Sequence, residues 1–184
     1  MPTSLTQLAA LLFAAAALAC AGCDADELVD TADAANAEPS ALVELDGFET
    51  VEAIADPLAD HRPAQIVCPP AAWGVEDGAL EVQTGVCNYL ALSQATEVDL
   101  ALGDALTVDL WHGDLDAAEP ARAHFAVLLD GVVIAEYAVA IPSEAAAIQL
   151  RWRADAPVPA GAELGLHLHN HGYNAWSIVN IEKM

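Results

Sequence analysis

From residue 66 onward the chain is a succession of short runs in which apolar and polar residues alternate, at roughly ten-residue spacing and separated by Gly, Pro, Asn and Asp. No other feature limits the possible folds as strongly. A period of two puts successive side chains on opposite faces of an extended chain, whereas an amphipathic helix needs apolar residues every three to four positions. The runs cover 79–83, 86–92, 97–101, 105–112, 122–129, 132–140, 147–153, 163–170 and 175–181. After residue 60 no stretch keeps a helical period over three turns, and only the Ala-rich 144–150 is ambiguous. Asp77-Gly78, Thr84-Gly85, Gly103-Asp104 and Asp130-Gly131 each lie between two runs and read as hairpin turns. Eight or nine strands in about 115 residues predict an all-β fold, an antiparallel two-sheet β-sandwich or jelly roll over 61–184.

The alternation also assigns faces. Leu164, Leu166 and Leu168 share one side of their run, with His167 and His169 on the other. Ile148, Leu150 and Trp152 oppose Gln149, Arg151 and Arg153, and Leu106, Val108 and Leu110 oppose Thr107, Asp109 and Trp111. If these strands are neighbours, Asp109, Trp111, Arg151, Arg153, His167 and His169 form one polar wall. Tyr173 follows in the next loop, and together these residues are the predicted ligand-binding set. The two arginines carry weight through scarcity, because the chain has only five Lys and Arg in total.

Histidine recurs at every second position in His167-Leu168-His169-Asn170-His171. On a strand this spacing aims imidazoles to one side, so His167, His169 and His171 are candidate ligands for Zn²⁺, with His112, His124, Asp109 or Glu119 available to complete a site. The same histidines would also serve plain hydrogen bonding or partner contact on a sandwich surface. The loop 113–119, with Asp114, Asp116 and Glu119, offers hard oxygen ligands of the kind Ca²⁺ takes, or is simply a solvated acidic loop.

Cys68 and Cys87 are the cysteines of the predicted folded part, with 18 residues between them and no CxxC. In an exported protein such a pair is expected to form a disulfide, worth ~3 kcal/mol for a loop of this size in the chain-entropy treatment.

The formal net charge is −23, from 28 Asp and Glu against 5 Lys and Arg. A chain this negative repels phosphate backbones, which excludes nucleic acid as a partner. Twelve of the acids fall in 24–60, a stretch with no Lys or Arg. Segments that are acidic and poor in large apolar residues bury too little surface to offset their ordering entropy. Residues 23–60 are therefore expected to be a flexible acidic linker. No GxSxG, HExxH, P-loop or GxGxxG motif occurs. The expectation is thus a non-catalytic binding protein. The alternatives are a zinc protein or hydrolase using the histidine strand, and a purely structural envelope component.

Leu8 to Ala19 is an unbroken uncharged run, followed by Cys20-Ala21-Gly22-Cys23 and then Asp24. It is too short to span a membrane and reads as the apolar part of an export signal over 1–22. With the small residues that follow, it resembles the lipobox of bacterial lipoproteins, in which a cysteine is diacylated and becomes the mature N-terminus. Cys20 follows Ala17-Leu18-Ala19 and Cys23 follows Cys20-Ala21-Gly22. Both are candidates, with Cys20 favoured. The resemblance implies a protein exported to the bacterial envelope and held there by lipid, since two acyl chains anchor stably where one does not. Plain secretion after Ala19 or Gly22 is the alternative.

The run WGVEDGALEVQTG from Trp73 (73–85), together with the terminal His-Asn-His-Gly-Tyr-Asn-Ala-Trp-Ser-Ile-Val-Asn-Ile (169–181), resembles the opening and closing strands of galactose-binding-like and jelly-roll carbohydrate-binding modules. What the resemblance implies is an accessory domain binding carbohydrate or a protein of the cell envelope, with Trp111 or Tyr173 as the ring that stacks on a sugar. Trp73, Trp152 and Trp176 are expected to pack inside.

Radiolabelled palmitate fed to expressing cells should label the protein, and the label should be lost in Cys20→Ser and kept in Cys23→Ser. The opposite pattern would move the anchor to Cys23, and an unlabelled wild type would leave simple secretion.

Overall fold

Strands form where the alternation predicts them, because each such run can bury one face while its backbone groups pair with neighbours. The computed structural model describes residues 38–169 and 172–184. The export signal 1–22, Cys20, Cys23, the first part of the linker and His171 lie outside the described residues. Among the described residues eleven strands follow in order: β1 (Ser40–Ala41), β2 (Glu49–Thr50), β3 (Trp73–Glu76), β4 (Ala79–Gln83), β5 (Tyr89–Ala95), β6 (Ala105–His112), β7 (Ala121–Leu129), β8 (Val132–Ile141), β9 (Ala146–Arg153), β10 (Glu163–His169) and β11 (Ala175–Lys183). Three short 3₁₀ turns, at 45–47, 59–61 and 70–72, are the helical elements among the described residues.

The strands make two antiparallel sheets. The first runs β3-β4-β11-β6-β9, with β1 paired to the end of β11, and the second runs β2-β5-β10-β7-β8. Successive strands pass repeatedly from one sheet to the other, so the chain is the expected all-β sandwich of jelly-roll type. Between the sheets lie Leu106, Val108 and Leu110 of β6, Trp176 and Ile178 of β11, Phe125 and Val127 of β7, and Leu164, Leu166 and Leu168 of β10, all buried. The predicted core faces of β6 and β10 are thus met. Ile148, Leu150 and Trp152 of β9 pack against the core from its edge while remaining partly exposed. Trp73 does the same, and Trp176 is wholly enclosed.

Two of the four expected hairpins exist. Asp77 and Gly78 turn β3 into β4 with φ of 51° and 84°, and Asp130 and Gly131 turn β7 into β8 with 47° and 76°. Positive φ at both central positions suits the twist of a two-residue hairpin, and Asp and Gly tolerate it best. Thr84-Gly85 and Gly103-Asp104 instead lie on crossings between sheets, since β4 and β6 belong to the first sheet and β5 to the second. Local turn chemistry is the same in both cases and does not reveal the destination of the next strand. The run 86–92 begins late for a related reason: the Val86 and Cys87 amides donate to the Gln83 carbonyl in the crossing turn, and the strand starts at Tyr89. The run 97–101 contributes only a bridge from Leu100 to Val158. Cys68 and Cys87 form the expected disulfide.

The linker boundary at 60 is corrected. From Glu38, the first described residue, the chain belongs to the same compact unit as the sandwich. β1 and β2 extend the two sheets, and Leu42, Val43 and Phe48 are core residues exposed by 0%, 3% and 5%. The acidic average of this stretch conceals them, because Glu44, Asp46 and Glu49 face solvent while the apolar residues between them turn inward. Leu42→Ala should therefore cost about 2–5 kcal/mol in denaturant unfolding, against a few tenths for a residue in a solvated tether. A change below about 0.5 kcal/mol would return the segment to the linker.

Candidate functional site

The predicted polar wall is divided by the sandwich. Asp109 and Trp111 on β6 and Arg151 and Arg153 on β9 share the outer face of the first sheet, whereas His167 and His169 on β10 lie on the outer face of the second. The whole core stands between the two groups. The faces of β6, β9 and β10 were legible as alternation; the adjacency of β6 to β9 and the membership of β10 in the other sheet were not, because pairing depends on residues distant in sequence. Tyr173 belongs to neither face. It sits in the loop before β11, 67% exposed, its amide donating to the Asp116 carbonyl at 2.7 Å.

On the first sheet the strand register sets out rows across β11, β6 and β9. One row is Ser177, Trp111 and Ala147, and the next is Asn180, Asp109 and Gln149, after which come Glu182, Thr107 and Arg151. Trp111 is 43% exposed, and its cross-strand neighbours on both sides are small, so no bulky side chain stands beside the indole in its own row. Gln149 Nε2 donates to Asp109 Oδ1 at 2.8 Å, and Arg153 donates to the Gly103 carbonyl at 2.8 Å. Arg151 is exposed beside them. The result is an apolar ring next to donors and acceptors held on a rigid strand pair.

The outer face of the second sheet is partly covered by residues 51–62, which run over β5, β10 and β7. The Val51 amide donates to the Ala91 carbonyl at 2.9 Å. Asp56, with its side chain nearly enclosed, accepts from Arg62 Nε at 2.8 Å, from the Leu58 amide at 2.9 Å and from the Tyr89 hydroxyl. Burial pushes the Asp56 carboxyl up, but the Tyr89, Leu58 and Arg62 donors outweigh it and hold it below the ordinary carboxylate value. Burial, and then the Asp56 charge, raises the Tyr89 hydroxyl. The Arg62 guanidinium also lies 5.0 Å from the centre of the Tyr89 ring.

This cover brings His61, from the turn 59–61, against His124 of β7 and His167 of β10. Ring centres are 5.2 Å apart for His61–His124 and His61–His167, and 5.3 Å for His124–His167. His61 Nδ1 and His167 Nε2 are 3.4 Å apart, and one nitrogen from each of the three rings falls within 4.8 Å of the others. His124 Nε2 contacts Glu136 Oε2 at 3.0 Å. His61 and His124, with Asp60, Arg122, Glu136 and His169, line an open groove of about 720 Å³. His167 is buried beneath, and burial, with the nearby His124 and His61, lowers its pKa to about 3.

Of the expected metal set of His167, His169 and His171, His171 lies outside the described residues, and among the described residues the group close enough for one ion is His61, His124 and His167. His124 was among the residues offered to complete a site. His61 was missed, because it stood at the edge of the presumed linker and meets His167 across 106 residues of sequence. His112 is enclosed in the core against Trp176, 4.7 Å between rings, and its Nδ1 donates to the Gly113 carbonyl at 2.8 Å. The expected Ca²⁺ loop does not converge either. Asp114 Oδ1 accepts from the Ala145 amide and Asp116 Oδ1 from the Ala117 amide, so these carboxylates serve turns instead of one ion.

No protein-family model matches the chain, and no curated protein matches it. Among solved structures it is similar to a family 4 carbohydrate-binding module, at 12% identity and a TM-score of 0.44 over 79% of this chain and 93% of that one. It is also similar to the family 29 module CBM29-2, at 12% identity and a TM-score of 0.42 over 80% and 92%. A third is TmCBM61 in complex with β-1,4-galactotriose, at 10% identity and a TM-score of 0.35 over 80% and 86%. Likenesses this low transfer no function, and the reading of this chain rests on its own side chains.

The His167 environment makes stability depend on pH with a defined sign. Between the folded value of about 3 and the ordinary 6.5, the unfolded chain takes up a proton that the folded one refuses. Stability therefore falls as the pH is lowered from 6.5 toward 3, by up to ~1.4 kcal/mol per pH unit from this group. In chelator-treated protein, denaturant unfolding of His167→Asn should show a shallower slope over that window than wild type. Equal slopes would mean that His167 protonates freely in the folded state.

Proposed function

We propose that the protein is an exported, lipid-tethered, non-catalytic β-sandwich that binds carbohydrate of the cell envelope on the outer face of its first sheet. The observation that carries this reading is Trp111, an indole left 43% exposed in the interior of a sheet and flanked across the strands only by Ser177 and Ala147. An exposed aromatic ring on a soluble surface is stabilised when it covers an apolar face, and the C–H face of a pyranose offers one edged by hydroxyls. The Asp109–Gln149 pair, Asn180 and Arg151 supply both acceptors and donors beside the ring, as hydroxyl recognition requires. Strands β6, β9 and β11 hold these groups without a loop having to order, which keeps the entropic cost of binding low. The lipobox-like segment supports the address, and the predominance of negative charge supports a neutral ligand over an anionic one.

Glycan-array screening of the purified protein, followed by calorimetric titration of the best neutral oligosaccharide, tests the reading. Trp111→Ala should weaken binding by at least about tenfold, or ~1.4 kcal/mol, with unchanged thermal unfolding because the side chain is exposed. Binding that survives this change intact would remove the face from consideration, and an array with no hit would favour a structural envelope component.

A further inference from the structure

We infer that His61, His124 and His167 form a binding site for a divalent transition metal, Zn²⁺ in the first place, which ties the covering segment 51–62 to the outer face of the second sheet. This site lies on the opposite face from the proposed carbohydrate surface and stands or falls independently of it.

The geometry is that of a nearly assembled three-imidazole site. Two nitrogens bound to one tetrahedral Zn²⁺ at 2.0–2.1 Å lie ~3.3 Å from each other. His61 Nδ1 and His167 Nε2 are 3.4 Å apart, already at that spacing, and the third nitrogen is within 4.8 Å of both, a gap that side-chain rotation closes. The three rings come from three separate parts of the chain: a 3₁₀ turn, β7 and β10. Histidines scattered over an acidic surface have no reason to converge in this way.

The surroundings supply a second observation. His124 Nε2 meets the Glu136 carboxylate at 3.0 Å, while its Nδ1 is buried with no hydrogen-bond partner. A carboxylate on the outer nitrogen of an imidazole is the usual way a metal-binding histidine is oriented and made more basic. It leaves the other nitrogen for the ion, and here that nitrogen is the unpartnered one. Three imidazoles with an exposed groove beside them leave a fourth position open to water or to an added ligand, and the Asp60 and Glu136 carboxylates at the groove offset the Arg122 charge that also lines it. Three nitrogen ligands favour Zn²⁺, Cu²⁺ or Ni²⁺ over Ca²⁺ or Mg²⁺, which take oxygen.

The experiment uses the tag-free full chain, stripped with EDTA and titrated with Zn²⁺ alone at pH 7.5 by calorimetry, with metal content measured after dialysis. One Zn²⁺ per chain is expected, with thermal unfolding shifted upward on loading. His61→Ala, which changes an exposed side chain and leaves the sandwich intact, should weaken binding at least about a hundredfold and abolish the thermal shift. Glu136→Gln should weaken it by about ten- to a hundredfold, as loss of an orienting carboxylate does. Co²⁺ in place of Zn²⁺ should give the intense visible bands of a tetrahedral ion in wild type and not in His61→Ala. A folded wild type that binds no Zn²⁺, or binding unchanged in His61→Ala, would overturn the inference and leave three packed imidazoles.

Discussion

Burial of one apolar face of each sheet against the other is the interaction on which the rest of this molecule depends. Every long strand supplies alternate residues to that interface, and the outward residues are then free to be polar, titratable or aromatic at no cost to the core. Trp176, Phe125, Leu106 and Leu164, each exposed by 1% or less, lie in that interface. Because the strands are rigid there, the outward Trp111, Asp109 and Arg151 on one side and His124 and His167 on the other keep fixed spacings.

The two outer faces have been put to different uses. That of the first sheet presents an exposed indole among amide and carboxylate groups. That of the second is half covered by residues 51–62, which are held down by the buried Asp56 and its three donors. Asp56 is a charged group in a nearly enclosed place, and it persists there because Arg62, Tyr89 and the Leu58 amide replace the water it lost. The same cover delivers His61 to the sheet. The disulfide between Cys68 and Cys87 fastens the chain just after this segment, near the point where it enters β3.

Much of the fold was legible in the residues. The alternation in 105–112 and 163–169 identified both the strands and their buried sides, the Asp-Gly pairs marked the two true hairpins, and the two internal cysteines named their own partner. Other features were hidden for physical reasons. The segment 38–60 reads as a tether because its acids dominate any average, although three core residues sit among them. Thr84-Gly85 and Gly103-Asp104 look like hairpins because a chain crossing to the opposite sheet reverses direction with the same turn residues.

The sequence by itself determined which side of each strand faces inward, since that depends only on a period of two between adjacent residues. It also determined the charge, and with it the expectation against a nucleic-acid partner. Only the tertiary structure decided which strands are neighbours, because hydrogen-bonded pairing joins residues far apart in the chain and leaves no local mark. That decision separated Arg151 from His167, which the alternation had seemed to unite, and joined His61 to His167, which nothing in their separate surroundings connected.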